Sequence, residues 1–101
     1  MPMMFELRST PTFDRWLTGL KDRTVKNQLL TRLARVENGH FGDAKPLMAD
    51  LFELRCFFGG GLRVYYTIRH ECVVLLLVGG DKSSQRRDIE KARELLSTLE
   101  E

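Results

Sequence analysis

No apolar run in this chain is long enough to cross a membrane. The longest uncharged one, Cys72 to Val78, falls far short of the roughly 20 residues that a spanning helix needs. The start of the chain has no basic region followed by an apolar stretch and a small-residue cleavage site, so the sequence predicts no export signal and a cytoplasmic location. Cysteine is scarce. Cys56 and Cys72 both lie in apolar runs and are expected to be reduced core residues, and two thiols alone make no metal site. His40 and His70 stand in separate loop segments with no cysteine or carboxylate at ligand spacing, which argues against a metal centre and leaves both as solvated turn residues. Nucleophile-elbow and metalloprotease signatures are absent, as are repeats, low-complexity tracts and linkers.

What is present fits one domain. The chain has 101 residues, 43% apolar and 30% charged, which is enough for a single core and leaves no room for a second. Its net charge of +2 is unevenly spread. Between Leu54 and Arg87 stand Arg55, Arg63, Arg69, Lys82, Arg86 and Arg87 against only Glu71 and Asp81, a local +4. Arginines outnumber lysines 11 to 5, and the planar guanidinium suits phosphates and base edges, so an anionic partner is a candidate.

Periodicity gives the elements. Met3, Phe5 and Leu7 alternate with Met4, Glu6 and Arg8, as in a half-buried strand. Thr10-Pro11 reads as an N-cap and first helical position, followed by Phe13, Trp16, Leu17 and Leu20 at helical spacing. Asp22 caps a second helix buried through Val25, Leu29, Leu33 and Val36 and stopped by Asn38-Gly39; the short connection predicts an antiparallel helical hairpin. Phe41 to Ala49 reads as a loop, with Pro46 placed where a sheet edge tolerates it. Three strands follow, Leu51–Phe58, Leu62–Arg69 and Cys72–Val78, with turns at Gly59-Gly60-Gly61 and His70-Glu71. The third does not alternate, so it is expected to be covered on both faces. Gly79-Gly80-Asp81 is expected to end the sheet, and Ser83 or Ser84 to cap a last helix through Ile89, Ala92, Leu95, Leu96 and Leu99. The order β-α-α-β-β-β-α describes an α+β domain with helices packed on an antiparallel sheet.

Pairing Phe58 with Leu62 across the triglycine turn places Phe52, Leu54, Cys56, Phe58, Leu62, Val64, Tyr66 and Ile68 on a core face. The other face carries Arg55, Phe57, Arg63, Tyr65, Thr67 and Arg69. Arginines beside aromatics on an open sheet can hold phosphates while the rings stack on bases. The competing structural role is plain solubility, with Phe57 and Tyr65 packed under the terminal helix. Gly79 to Gln85 leaves a strand and enters a helix, where backbone amides can meet a phosphate, although the spacing is not that of a Walker loop.

The segments Phe5-Glu6-Leu7-Arg8, Asn38 to Leu47, Glu53-Leu54-Arg55, Gly61-Leu62-Arg63-Val64-Tyr65-Tyr66 and Leu76 to Gln85 together resemble the RelE/ParE toxin superfamily. More narrowly, they resemble its HigB-type branch of addiction-module killer proteins, related to phage Gp49-like proteins. The resemblance spans nearly the whole of 1–101 as a single toxin domain. It implies a type II toxin held in a hetero-oligomer by a helix-turn-helix antitoxin of HigA type. RelE-like members cut mRNA in the ribosomal A site with no metal or other cofactor, the RNA's own 2′-hydroxyl attacking the adjacent phosphate. ParE-like members share the fold and poison DNA gyrase instead. By position in the Gly-x-Arg-x-Tyr motif, the resemblance makes Arg63 the phosphate-contacting arginine and Lys82 a basic group for the leaving oxygen or the phosphate. Arg55, Phe57, Arg69, Gln85 and Arg86 are then candidates for RNA and ribosome contact. The tyrosine that RelE-like toxins carry near the chain end has no counterpart here, since nothing aromatic follows Tyr66; Tyr65 is the candidate substitute for base stacking or proton transfer.

Overall fold

Thr10 decides where the first strand stops and the first helix begins. In the computed structural model, which describes residues 4–99, its hydroxyl accepts from the Phe13 amide (3.1 Å) and donates to the Leu77 carbonyl (2.6 Å). One side chain thus caps α1 (Pro11–Thr18) and fastens it to β5 (Val73–Gly80). Before it runs β1 (Glu6–Ser9); Met3 of the expected strand lies outside the described residues. The Asp22 carboxylate caps α2 (Arg23–Glu37) by accepting from the Thr24 and Val25 amides, and Gly39, at φ 86°, supplies the left-handed turn that follows its end.

The remaining strands are β2 (Ala44–Met48), β3 (Leu51–Arg55) and β4 (Arg63–Arg69), and the five form one sheet in the order β1-β5-β4-β3-β2. On one face, Phe13 of α1 and Leu29, Leu33 and Val36 of α2 pack against Leu54, Cys56, Val64, Tyr66, Val74 and Leu76. On the other, Ala92 of α3 (Gln85–Leu99) is buried with Leu51, Tyr65, Leu77 and Val78. β5 therefore contributes to both cores, which is why its sequence shows no alternation.

The α+β class holds, with local differences. The segment read as a loop contains β2, an edge strand disguised by Pro46, whose missing N–H costs nothing where no further strand pairs. β1 runs parallel to β5, so the sheet is mixed rather than wholly antiparallel. Gly79 and Gly80 do not end the sheet but are its last β5 residues. Asp81, rather than a serine, caps the 3-10 turn Lys82–Ser84 that leads into α3. Cys56 is buried as expected, whereas Cys72 is exposed at the β4–β5 turn.

The two strand glycines have a steric cause. A Cβ at Gly79 would overlap the indole of Trp16, and one at Gly80 would overlap the Asp88 carboxylate. These residues let α1 and α3 approach β5 closely. Gly79→Ala is expected to cost about 1–3 kcal/mol through overpacking, read as a lowered urea midpoint in the fluorescence of Trp16, the single tryptophan.

Candidate functional site

The β3–β4 register is Arg55↔Arg63, Leu54↔Val64, Glu53↔Tyr65 and Phe52↔Tyr66. It differs by two residues from the pairing expected across the triglycine turn. Because the offset is even, no side chain changes face, and all eight expected core-face residues lie in or against the α1/α2 core. The offset widens the turn. Cys56 N–H donates to the Leu62 carbonyl (2.9 Å), and Phe57 to Gly61 loop out beyond that pair. Gly59, Gly60 and Gly61 all have φ between 59° and 79°, a run of left-handed residues that side chains would oppose. Phe57 is thereby carried off the sheet face into solvent, at 88% exposure, while Phe58 turns back against the core.

α3 divides the opposite face of the sheet. It covers Tyr65 and Thr67, both 0% exposed, and leaves the Arg55–Arg63 end open beyond its first residue. The expectation that Tyr65 lies exposed beside Arg63 is corrected: its ring belongs to the core under α3. Burial, reinforced by the Glu53 and Asp88 carboxylates, pushes its phenol far above the ordinary tyrosine range. A ring in that position has no face to offer a base.

Beneath the open end sits Glu53, fully buried. Its Oε2 accepts from Gln85 Nε2 (2.7 Å) and lies 3.6 Å from Arg63 Nε, and its Oε1 lies 4.0 Å from Lys45 Nζ. Lys45 is its direct neighbour on β2, Tyr65 its direct neighbour on β4, and Arg63 a diagonal one. Arg63 is further fixed by Nη1 donating to the Gly61 carbonyl (2.8 Å). Only 13% of its side chain is exposed, so the guanidinium is clamped from behind and meets solvent at the floor of a shallow recess. That recess, about 370 Å³, is lined by Arg55, Cys56, Phe57, Gly61, Arg63 and Lys82. Arg55 pairs with Asp43 through Nη2 (3.1 Å) and Nε (3.3 Å). The two facing arginines thus each have a carboxylate, which relieves the repulsion of like charges directly opposite on a sheet.

The structure brings Arg55, Phe57, Arg63 and Lys82 together at one opening and places Gln85 behind it, through Glu53. It does not bring Arg69 there: six residues along β4 at about 3.3 Å each put it ~20 Å from Arg63. Arg86 lines a separate recess on α3 with Gln85, Ile89, Glu90 and Arg93. Sequence reasoning missed Glu53 and Asp43. The signal for Glu53 was a lone carboxylate inside Leu51-Phe52-Glu53-Leu54, a strand otherwise apolar up to Arg55.

Residues 15–97 match the family model of the phage-derived Gp49-like proteins. An uncharacterized protein of Haemophilus influenzae is 41% identical over 97 residues, covering 96% of this chain and 98% of its own. Among solved structures, a mutant of the E. coli toxin RelE in the free state superposes with a TM-score of 0.73 at 20% identity, covering 91% of this chain and 97% of that one. The toxin–antitoxin complex RelBE2 of Mycobacterium tuberculosis does so with a TM-score of 0.62 at 22% identity, covering 80% and 94%.

Removing the buried carboxylate should be severe. Glu53→Ala is expected to lower stability by about 3–5 kcal/mol, because it leaves Arg63 uncompensated; the Glu53→Ala/Arg63→Ala double variant should lose less than the sum of the singles in urea unfolding. A second expectation concerns alkali. Burial raises the Tyr66 phenol to about 12 from 10.0, so above pH 10 the unfolded chain ionises first. Because the Tyr65 phenol is raised further still, stability should fall from about pH 10 upward and keep falling past pH 12, as measured by unfolding at stepped pH.

Proposed function

The chain belongs to the Gp49-like family of phage-derived proteins, and from that membership, its RelE fold and the clamped Arg63 we propose that it is the toxin of a type II toxin–antitoxin module, of HigB type. Its activity is ribosome-dependent, metal-independent cleavage of mRNA, and its neutralising partner is a helix-turn-helix antitoxin of HigA type. The observation that carries the reading is the recess itself, where a guanidinium of fixed orientation, an exposed ammonium and an exposed aromatic ring meet.

In this reading the 2′-hydroxyl of one ribose gives up its proton to water as its oxygen attacks the adjacent phosphorus, and the bond to the next 5′-oxygen breaks, that oxygen taking a proton from water. Arg63 meets the two non-bridging phosphoryl oxygens, whose shared negative charge grows as the phosphorane forms. Its ties to Glu53 and Gly61 mean that little reorganisation is needed when that charge appears. Lys82 lies beside Gly61, whose carbonyl holds Arg63, and supplies a cation for the leaving oxygen. Arg55 and Phe57 hold the flanking nucleotide in line. Relatives solved in complex with an antitoxin, RelBE2 among them, support an antitoxin partner for this chain.

One observation favours a second reading, in which the fold poisons DNA gyrase without cutting RNA: Tyr65, the tyrosine beside Arg63 in sequence, is withdrawn into the core. Toeprinting of an mRNA translated in a cell-free extract separates the two. The wild-type protein is expected to create new ends within ribosome-bound codons, Arg63→Ala to slow their appearance by about 10²–10³-fold, and added antitoxin to abolish them. Intact mRNA alongside full growth arrest and an induced DNA-damage response would transfer the assignment to gyrase.

A further inference from the structure

Phe57 is a partition between two recesses. On one side is the opening that holds Arg63 and Lys82; on the other is a second, about 460 Å³, lined by residues that include Gln28, Arg32, Arg35, His40 and Arg55. Phe57, Cys56 and Arg55 line both. The second recess opens in turn onto a groove along α2, with which it shares Gln28, Arg32, Arg35 and Phe58. The three recesses thus adjoin in a row from Lys82 to the outer face of α2, with Arg55, Cys56 and the exposed Phe57 ring between the first two.

Its charges are unequally balanced. Arg55 is held by Asp43 and Arg63 by Glu53, whereas Arg32 donates to the Asp43 and Arg55 carbonyls (3.4 Å each) and, among the described residues, has no carboxylate within ion-pair distance. Among the described residues Arg35, exposed on α2, has no carboxylate within ion-pair distance, and Lys82 has none at the other end. Free cations therefore flank the ring on both sides. Phe57 is also the one aromatic among the described residues whose ring is open to solvent. Burying that ring is favourable, and a base is the flat partner that fits a ring standing between two hollows lined by cations.

We propose that the Arg32–Arg35 recess is a second nucleotide subsite, and that Phe57 is a stacking wedge fixing which phosphate of a single strand reaches Arg63. The proposal rests on the RNA reading above and deepens it. It assigns a path, from Lys82 past Phe57 to α2, and a register device to a site otherwise defined by one phosphate. An acidic protein segment would satisfy the cations but has no use for an exposed ring between them, so the ring selects the nucleic acid.

The two elements have different signatures in binding. The probe is a short, labelled single-stranded 2′-O-methyl oligoribonucleotide, which lacks the attacking hydroxyl and stays intact, followed by fluorescence anisotropy across a salt series starting at about 50 mM. Arg35→Ala is expected to weaken binding and to reduce the log–log salt slope by about 0.7, the loss of one phosphate contact. Phe57→Ala is expected to weaken binding about 5- to 150-fold with no change of slope, and an abasic nucleotide at the wedge position should erase that difference. Both side chains are exposed, and unchanged urea midpoints verify that the variants fold. Absence of wild-type binding at the lowest salt, or a Phe57→Ala affinity equal to wild type, overturns the subsite. So does displacement of the probe by polyglutamate with equal efficiency from wild type and Phe57→Ala, which would assign the recesses to an acidic peptide. Cleavage is scored separately in the translation extract. Wild-type protein that binds the probe there but leaves mRNA intact would remove the nuclease reading and keep the subsite.

Discussion

The carboxylate of Glu53, inaccessible to water and reached by Gln85, Arg63 and Lys45 from three different elements, is the constraint on which the open end of the sheet depends. A buried charge is tolerated only when its partners are close and well placed, so this one residue dictates where its neighbours stand. Gln85 is the first residue of α3, and its hydrogen bond to Glu53 sets where that helix begins over the sheet. Everything beyond that start is covered, including Tyr65 and Thr67. Before it lies the open end, bordered by Arg55 and, at the floor of the recess, Arg63. The boundary between core and site is thus drawn by a polar contact, and the apolar packing of Ala92, Leu51 and Leu77 follows from it.

The same economy governs the sheet's approach distances. Gly79 and Gly80 sit side by side on β5 with opposite faces, so one admits the Trp16 indole of α1 and the other the Asp88 carboxylate of α3. Asp88 also accepts from the Ser84 hydroxyl (2.5 Å), whose partner is the Asp81 cap. The 3-10 turn carrying Lys82 is therefore held at both ends. Gly61 lies between Arg63 and Lys82, close enough that a Cβ there would press on the guanidinium at 3.3 Å. The β4–β5 register, which sets Arg63 opposite Gly80, brings the two cations to one opening, and Gly61 gives them room there.

Much of this was legible in the chain. Thr10, Asp22 and the 3.6-residue spacing of Leu29, Leu33 and Val36 specify their helices locally, and even-numbered alternation in β3 and β4 assigns faces whatever the register. Elements that depend on distant partners were not. β2 has Pro46 and turn residues because only one of its edges is paired, so its sequence looks like a loop. The run of left-handed glycines widened the turn and moved Phe57 from the sheet to the loop tip, which no alternation rule foresees. Tyr65 and Arg63 alternate on the same face, yet the edge of α3 passes between them. Burial there is decided by where a helix about twenty residues away in sequence begins.

The site's arginines have two separable electrostatic tasks. Arg63 and Arg55, each already answered by a carboxylate, add little net field at a distance, since a nearby opposite charge cancels most of it. What they offer to the proposed reaction is orientation: fixed donors that would meet phosphoryl oxygens in one geometry. The long-range attraction must come from cations without such partners, and these are Lys82 on one side of Phe57 and Arg32 and Arg35 on the other. Were Glu53 replaced by an apolar residue, the recess would gain positive potential but lose the fixed guanidinium. In a reaction limited by charge build-up on phosphorus, a preorganised donor is worth more than added net charge. A buried carboxylate under Arg63 therefore suits the proposed catalytic patch better than one that merely holds an anion.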